Sequence, residues 1–221
     1  MRFASMLVVS FAMAALPFAP LAKAQKWEFG GGAGGGFYTA QDISGANGSA
    51  SAKLANGLAG SAWLVNNTAG RWGGELRYDY GMNDFALSGG GQSATFAART
   101  QAFHYDVLWY AAPNGSHIRP FVSMGAGVKL YQGTGSEVQL QPLSNVALLT
   151  QQQDLVPVAS VGGGVKVQMS PRLSLRLELH DYLTPFPKKV ITPNVGEKVG
   201  GLSWLNDFVP MIGISYTSDA R

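Results

Sequence analysis

From Leu173 to His180 the chain reads LSLRLELH, with leucine at every second position and Ser174, Arg176, Glu178 and His180 between them. A period of two sends neighbouring side chains to opposite faces, so this segment predicts a β-strand with one apolar and one polar side. The same rule sorts Ile118 to Tyr131, where Val122, Met124, Ala126, Val128 and Leu130 oppose Arg119, Ser123, Gly125, Gly127 and Lys129. In Ala159 to Met169 the apolar face is Ala159, Val161, Val165, Val167 and Met169, opposite Ser160, Gly162, Gly164, Lys166 and Gln168. Trp72 to Tyr80 sets Trp72, Leu76, Tyr78 and Tyr80 against Glu75, Arg77 and Asp79. Weaker alternation predicts four more strands, at about 26 to 39, 51 to 65, 96 to 111 and 207 to 217. In the second of these Trp63 falls out of phase with Leu54, Leu58 and Leu64.

Connections between the eight strands alternate in length. Short turns are expected at 66 to 71, at 112 to 117 with Asn114-Gly115, and at 170 to 172 with Ser170-Pro171. Longer polar, Gly-rich or Pro-rich stretches fill 40 to 50, 81 to 95, 132 to 155 and 184 to 206. An even number of antiparallel strands, with short turns at one end and long loops at the other, is the pattern of an eight-stranded up-and-down transmembrane β-barrel. The fold class is therefore all-β.

Period two alone does not say which face is wet, since a soluble lipocalin-like carrier would be apolar inside and polar outside. Composition and the placing of residues favour the membrane barrel, with the soluble carrier as an alternative. Only 13% of the 221 residues are charged, against 46% hydrophobic, whereas soluble domains carry about 25% charged residues. The apolar face has almost no Lys or Glu, and the polar face is rich in glycine and serine, which suits a narrow interior. Aromatic residues gather towards strand ends, and Trp27, Trp72, Tyr80, Trp109, Tyr110, Tyr182, Trp204 and Tyr216 are expected in interface girdles. No stretch beyond the N-terminal leader reaches the roughly 20 apolar residues of a membrane-spanning helix. The absence of cysteine excludes disulfides, thiol catalysis and Cys-ligated metal sites.

The first residues carry Arg2, an apolar run from Met6 to about Ala19, and the triplet Ala22-Lys23-Ala24. This predicts a secretory signal peptide over 1–24, cleaved after Ala24, and a barrel domain over 25–221. With Arg2 and Lys23 removed, the 16 basic residues fall to 14 against 13 acidic ones, so no nucleic-acid partner is implied.

The polar faces collect an interior ion network: Glu75, Arg77, Asp79, His104, Asp106, Arg119, Lys129, Lys166, Arg176, Glu178 and His180, with Lys26 and Glu28 on the first strand. Eight strands enclose only enough room for side chains to fill. Opposite charges there should pair into a plug, and no open pore is expected. His104 with Asp106, or His180 with Asp181, could be read as an acid/base pair of a lipid-modifying or proteolytic barrel enzyme. Alternation places His180 and Asp181 on opposite faces, and no nucleophile motif accompanies His104, so a non-enzymatic protein is expected, without catalytic residues, cofactor or metal. The run GGGAGGG at 30 to 36 is followed by no helix, which favours close packing over phosphate binding. His117 is read as a turn residue.

Segments such as RPFVSMGAGVKLY, VASVGGGVKVQMSPRLSLRLELHDY and FVPMIGISYT resemble the small bacterial outer-membrane β-barrel proteins of the OmpA and OmpX type. The resemblance spans essentially the whole chain after the leader and lies in hairpin style rather than in catalytic signatures. It implies an outer-membrane location, insertion by the outer-membrane assembly machinery, and contact with membrane lipid and lipopolysaccharide. A monomer with a structural or surface-interaction role and four external loops is expected. The loops at 132–155 and 184–206, the latter with Lys188, Lys189 and Lys198, are the candidates for meeting a surface ligand.

Overall fold

The computed structural model describes residues 26–67, 70–136, 141–201 and 203–218; the expected signal segment 1–24, its cleavage site and the side chain of Lys26 lie outside that set. Thirteen strands follow in chain order: β1 (Lys26–Tyr38), β2 (Gln41–Gly45), β3 (Gly48–Leu54), β4 (Gly57–Asn67), β5 (Trp72–Gly89), β6 (Gln92–Tyr110), β7 (Ile118–Gly133), β8 (Ala147–Leu149), β9 (Gln153–Gln168), β10 (Leu173–Pro185), β11 (Ile191–Pro193), β12 (Lys198–Val199) and β13 (Trp204–Ser218). Eight of them, β1, β4, β5, β6, β7, β9, β10 and β13, form a closed antiparallel ring in chain order, and the β1–β13 pairing closes it. Closure leaves no unpaired sheet edge facing lipid, where unsatisfied N–H and C=O groups would each cost several kcal/mol.

The alternation read from the sequence gives the two faces of this ring. Phe29, Leu64, Leu76, Phe103, Val107, Val122, Met124, Val161, Leu177, Leu179, Ile212 and Ile214 are all exposed, as lipid-facing residues must be in a chain taken without its bilayer. Trp27, Trp72, Trp109 and Tyr216 ring the short-turn end, and Tyr80 and Trp204 lie towards the other. From Trp72 to Tyr80, β5 has about the 9–11 residues that a tilted strand needs to cross a bilayer. Tyr110 and Tyr182, expected in the girdles, instead point into the barrel, at 0% and 2% exposure. Parity dictates this: Tyr182 is in step with Glu178 and His180, and Tyr110 with His104 and Asp106.

Two further expectations change. The predicted strand at 51 to 65 is two strands, of which only β4 belongs to the ring. β3 pairs instead with the upper end of β5, from Ser51 opposite Ser88 to Leu54 opposite Phe85. The stretch at 81 to 95, expected as a loop, continues β5 and β6 as a ladder that ends only at Gly89 opposite Gln92. Its turn is Gly90-Gly91, with φ of 55° and 77°. A two-residue hairpin turn of this kind needs φ above zero at both central positions, which glycine supplies without steric cost. The strands therefore project well beyond the membrane.

Candidate functional site: the lumen and the cap above it

Above the membrane the inward face changes character. Phe85, Leu87, Phe96 and Ala98 hold the inward positions on the β5–β6 extension, where Glu75, Arg77 and Asp79 hold them lower down. The β2–β3 hairpin lies against this extension, β12 adds to β2 at Lys198 and Val199, and β8 pairs with β11. Together they enclose one apolar core that draws Ile43 and Leu54, Phe85 and Leu87, Val146 and Leu149, and Val190 and Ile191 from the four long connections in turn. The barrel mouth is thus covered by a small cap with an ordinary hydrophobic centre.

Below the cap, each expected lumen residue whose side chain is described faces inward and is nearly or wholly buried. Arg77 is the hub. It contacts Glu75 at 3.2 Å, Asp79 at 3.0 Å and Glu178 at 2.5 Å. Arg176 contacts Glu75 and Glu178, each at 2.5 Å, so two guanidinium groups and two glutamates form a closed four-membered arrangement. His104 lies between Asp79 and Asp106, with a ring nitrogen 2.9 Å from each carboxylate. Tyr182 donates to Asp79 at 3.0 Å and stacks on His180. Nearer the cap, Lys129 pairs with Asp207, and Tyr131 shares a hydrogen bond with Thr184. At the turn end Lys166 pairs with Glu28 at 2.8 Å, while Arg119 stacks on Tyr110 and makes no ion pair among the described residues. A buried charge is tolerated only when paired and hydrogen-bonded, and most of this lumen meets that condition.

Glycine makes the room for these side chains. His104 and Asp106 sit opposite Gly127 and Gly125, and Glu178 and His180 opposite Gly164 and Gly162. A Cβ at Gly162 would come within 2.6 Å of His180 Nδ1, and one at Gly164 within 2.9 Å of the Glu178 Cβ. The run at 30 to 36 serves the same purpose on a larger scale, because the Trp63 indole lies over Gly30, Gly32 and Gly213. Trp63 is out of phase with its leucines because it faces the lumen: its Nε1 donates to Ser215 Oγ at 3.0 Å, and Arg77 and Arg176 stack on its ring. Trp63, Tyr182 and Asp207 were absent from the expected set, although the parity of each strand marks them.

The acid/base reading finds little support in this geometry. Both ring nitrogens of His104 are engaged by carboxylates, and Asp181 lies off the lumen network, accepting from Asn206 at 2.8 Å. Among the described residues, no group of three His, Asp or Glu is arranged to hold a metal ion.

A closed ring of eight antiparallel strands with an apolar outside and an ionic inside decides the fold. The chain has the fold of the small outer-membrane β-barrel proteins. Outer membrane protein OprG of Pseudomonas aeruginosa superposes with a TM-score of 0.58 at 13% identity, over 90% of this chain and 98% of that one. Neisserial surface protein A gives a TM-score of 0.53 at 9% identity, over 86% of this chain and 96% of the other. A major outer membrane protein from Thermus thermophilus gives 0.52 at 17% identity, over 88% and 100%. No protein-family model matches the chain, and neither does any curated protein sequence. These barrels are outer-membrane proteins, and the apolar belt and girdles described above suit that location.

Proposed function

We propose that the protein is a passive display barrel of the outer membrane: a plugged cylinder that holds a rigid cap at the cell surface as a contact surface, without conducting solute and without catalysis. The observation that carries this reading is the succession of buried pairs across the lumen, from Lys166–Glu28 near the turn end, through the Arg77 and Arg176 cluster, to the apolar core of the cap. The engagement of both His104 nitrogens by carboxylates supports the non-catalytic part.

The outer rim of the cap offers exposed cations at Lys188 and Lys198, beside Lys189, which reaches Asp154 at 3.3 Å. Anionic lipopolysaccharide headgroups fit such a rim, and the loops 132–155 and 184–206 are where a surface partner would dock. The plug is tested by reconstituting the folded protein in planar bilayers. No steady conductance is expected, and a stable ohmic current would overturn the plugged reading. The rim is tested by lipopolysaccharide binding to the detergent-folded protein, which should weaken on replacing Lys188 and Lys198 by Gln.

A further inference from the structure

The turn-end mouth of the lumen holds a cavity of about 100 Å³ lined by Glu28, Asn67, Arg119, Lys166 and Ser174. A single water needs roughly 10–15 Å³ of such space, so the cavity is large enough for a small molecular ion. Its charges do not balance internally. Lys166 donates to Glu28 Oε2 at 2.9 Å and to the Tyr110 hydroxyl at 2.8 Å, and its ammonium lies 2.8 Å from Glu28 Oε1, which offsets the charge of Glu28. Arg119 is the cation in excess. It is 9% exposed, its guanidinium carbon lies 3.8 Å from the centroid of the Tyr110 ring, and its Nε donates to the Ala112 carbonyl at 3.4 Å. Among the described residues, the buried Nη2 of Arg119 has no hydrogen-bond partner, and neither have Glu28 Oε1 and the Oδ1 of Asn67, whose amide is 4% exposed and donates from Nδ2 to Glu28.

An orphaned buried donor and an orphaned buried acceptor on one polar cavity each carry a desolvation penalty that a ligand would remove. Water could satisfy both hydrogen bonds but not the charge of Arg119, for which an unpaired burial is the costly state. A single group that answers all three needs is anionic, accepts from a guanidinium and also donates a hydrogen bond. A deprotonated carboxylate or sulfate lacks that donor, whereas a phosphate that keeps one proton has it.

We propose that this cavity is a binding site for a protonated phosphate group, free or as a phosphomonoester, held by Arg119 through its free N–H and by Asn67 through its free carbonyl. In an outer-membrane barrel the short turns face the periplasm, so the ligand would enter from that side. The site rests on the turn-end geometry alone and is independent of the display role.

Isothermal titration of the detergent-folded full chain tests it, with inorganic phosphate and with sulfate at about pH 6, where phosphate retains a proton and sulfate does not. Saturable phosphate binding at one site, with sulfate at least about tenfold weaker, is expected. Arg119→Gln should weaken phosphate at least about tenfold, and Asn67→Leu should abolish the preference over sulfate, both in protein whose folding is confirmed by a heat-shifted gel band. Glycerol 1-phosphate binding tighter than inorganic phosphate would assign the site to an esterified phosphate, and the reverse order to the free ion. Absence of saturable phosphate binding to the unmutated protein, equal affinity for sulfate, or binding that survives Arg119→Gln would each overturn the proposal.

Discussion

The same strands build two interiors of opposite polarity. In the membrane-spanning half of β5 the inward positions are Glu75, Arg77 and Asp79, while in its projecting half they are Phe85 and Leu87. What changes between the halves is the surrounding solvent. Lipid outside takes the apolar side chains, so the inward face carries the polar ones and must satisfy them by pairing. Water outside reverses the assignment, and the cap is held by hydrophobic burial as any soluble domain is. One β-ribbon thus depends on two kinds of cohesion, directional below and non-directional above, and the two halves should fail differently.

The largest effect is expected from breaking the directional half. Arg77→Met leaves Asp79 without its guanidinium and the two glutamates with Arg176 alone. Removing one partner of a buried ion pair costs about 3–5 kcal/mol, so urea unfolding in lipid vesicles should show a loss of that size and the heat-resistant gel band should weaken. In the cap, Leu87→Ala removes a side chain that is 1% exposed, with a cost of about 3 kcal/mol. There the expected readout is faster proteolysis of the projecting connections while the heat-resistant band persists. Loss of both together would mean that the halves unfold as one unit.

Smaller effects sharpen the contrast at the outer face and at the edge of the ion cluster. Ile212→Arg places a charge on the lipid side of β13 near mid-membrane, and about 2–4 kcal/mol should be lost in vesicle-based unfolding. Trp63→Phe deletes the hydrogen bond to Ser215 and should cost about 1 kcal/mol in the same measurement. Ser88→Arg, on the outward face of the projecting ladder, should stay within about 0.5 kcal/mol of the original. A cost at Ser88 equal to that at Ile212 would place the membrane boundary higher than the girdle does.

The ring was legible because a single rule, parity, runs through each membrane-crossing strand. It identified which way His104, Arg119, Arg176 and Glu178 point, and a glycine opposite several of the charged residues is consistent with a narrow lumen. The cap was not legible for the same reason. At 81 to 95 the spacing stays at two, but the apolar residues move to the other parity, so a reader following one face sees the pattern dissolve into a loop. The strand expected at 51 to 65 misled in the same way, since Leu54 belongs to the cap and Leu58 to the lipid face. Tyr110 and Tyr182 were misplaced because proximity to a strand end outweighed parity. The orphaned atoms of Arg119 and Asn67 had no sequence signal, because they depend on where Lys166 and Glu28 spend their own hydrogen bonds.

The core of the cap takes residues from all four long connections, from Ile43 in the first to Ile191 in the last. Each pair of neighbouring strands holds only a part of it, so the cap is expected to form late. On that expectation it completes after the ring has closed and every connection has reached the far side of the membrane. Completion of the cap is therefore expected as the last event of assembly, and protection of the projecting segments from added protease should serve as a clock for the end of insertion.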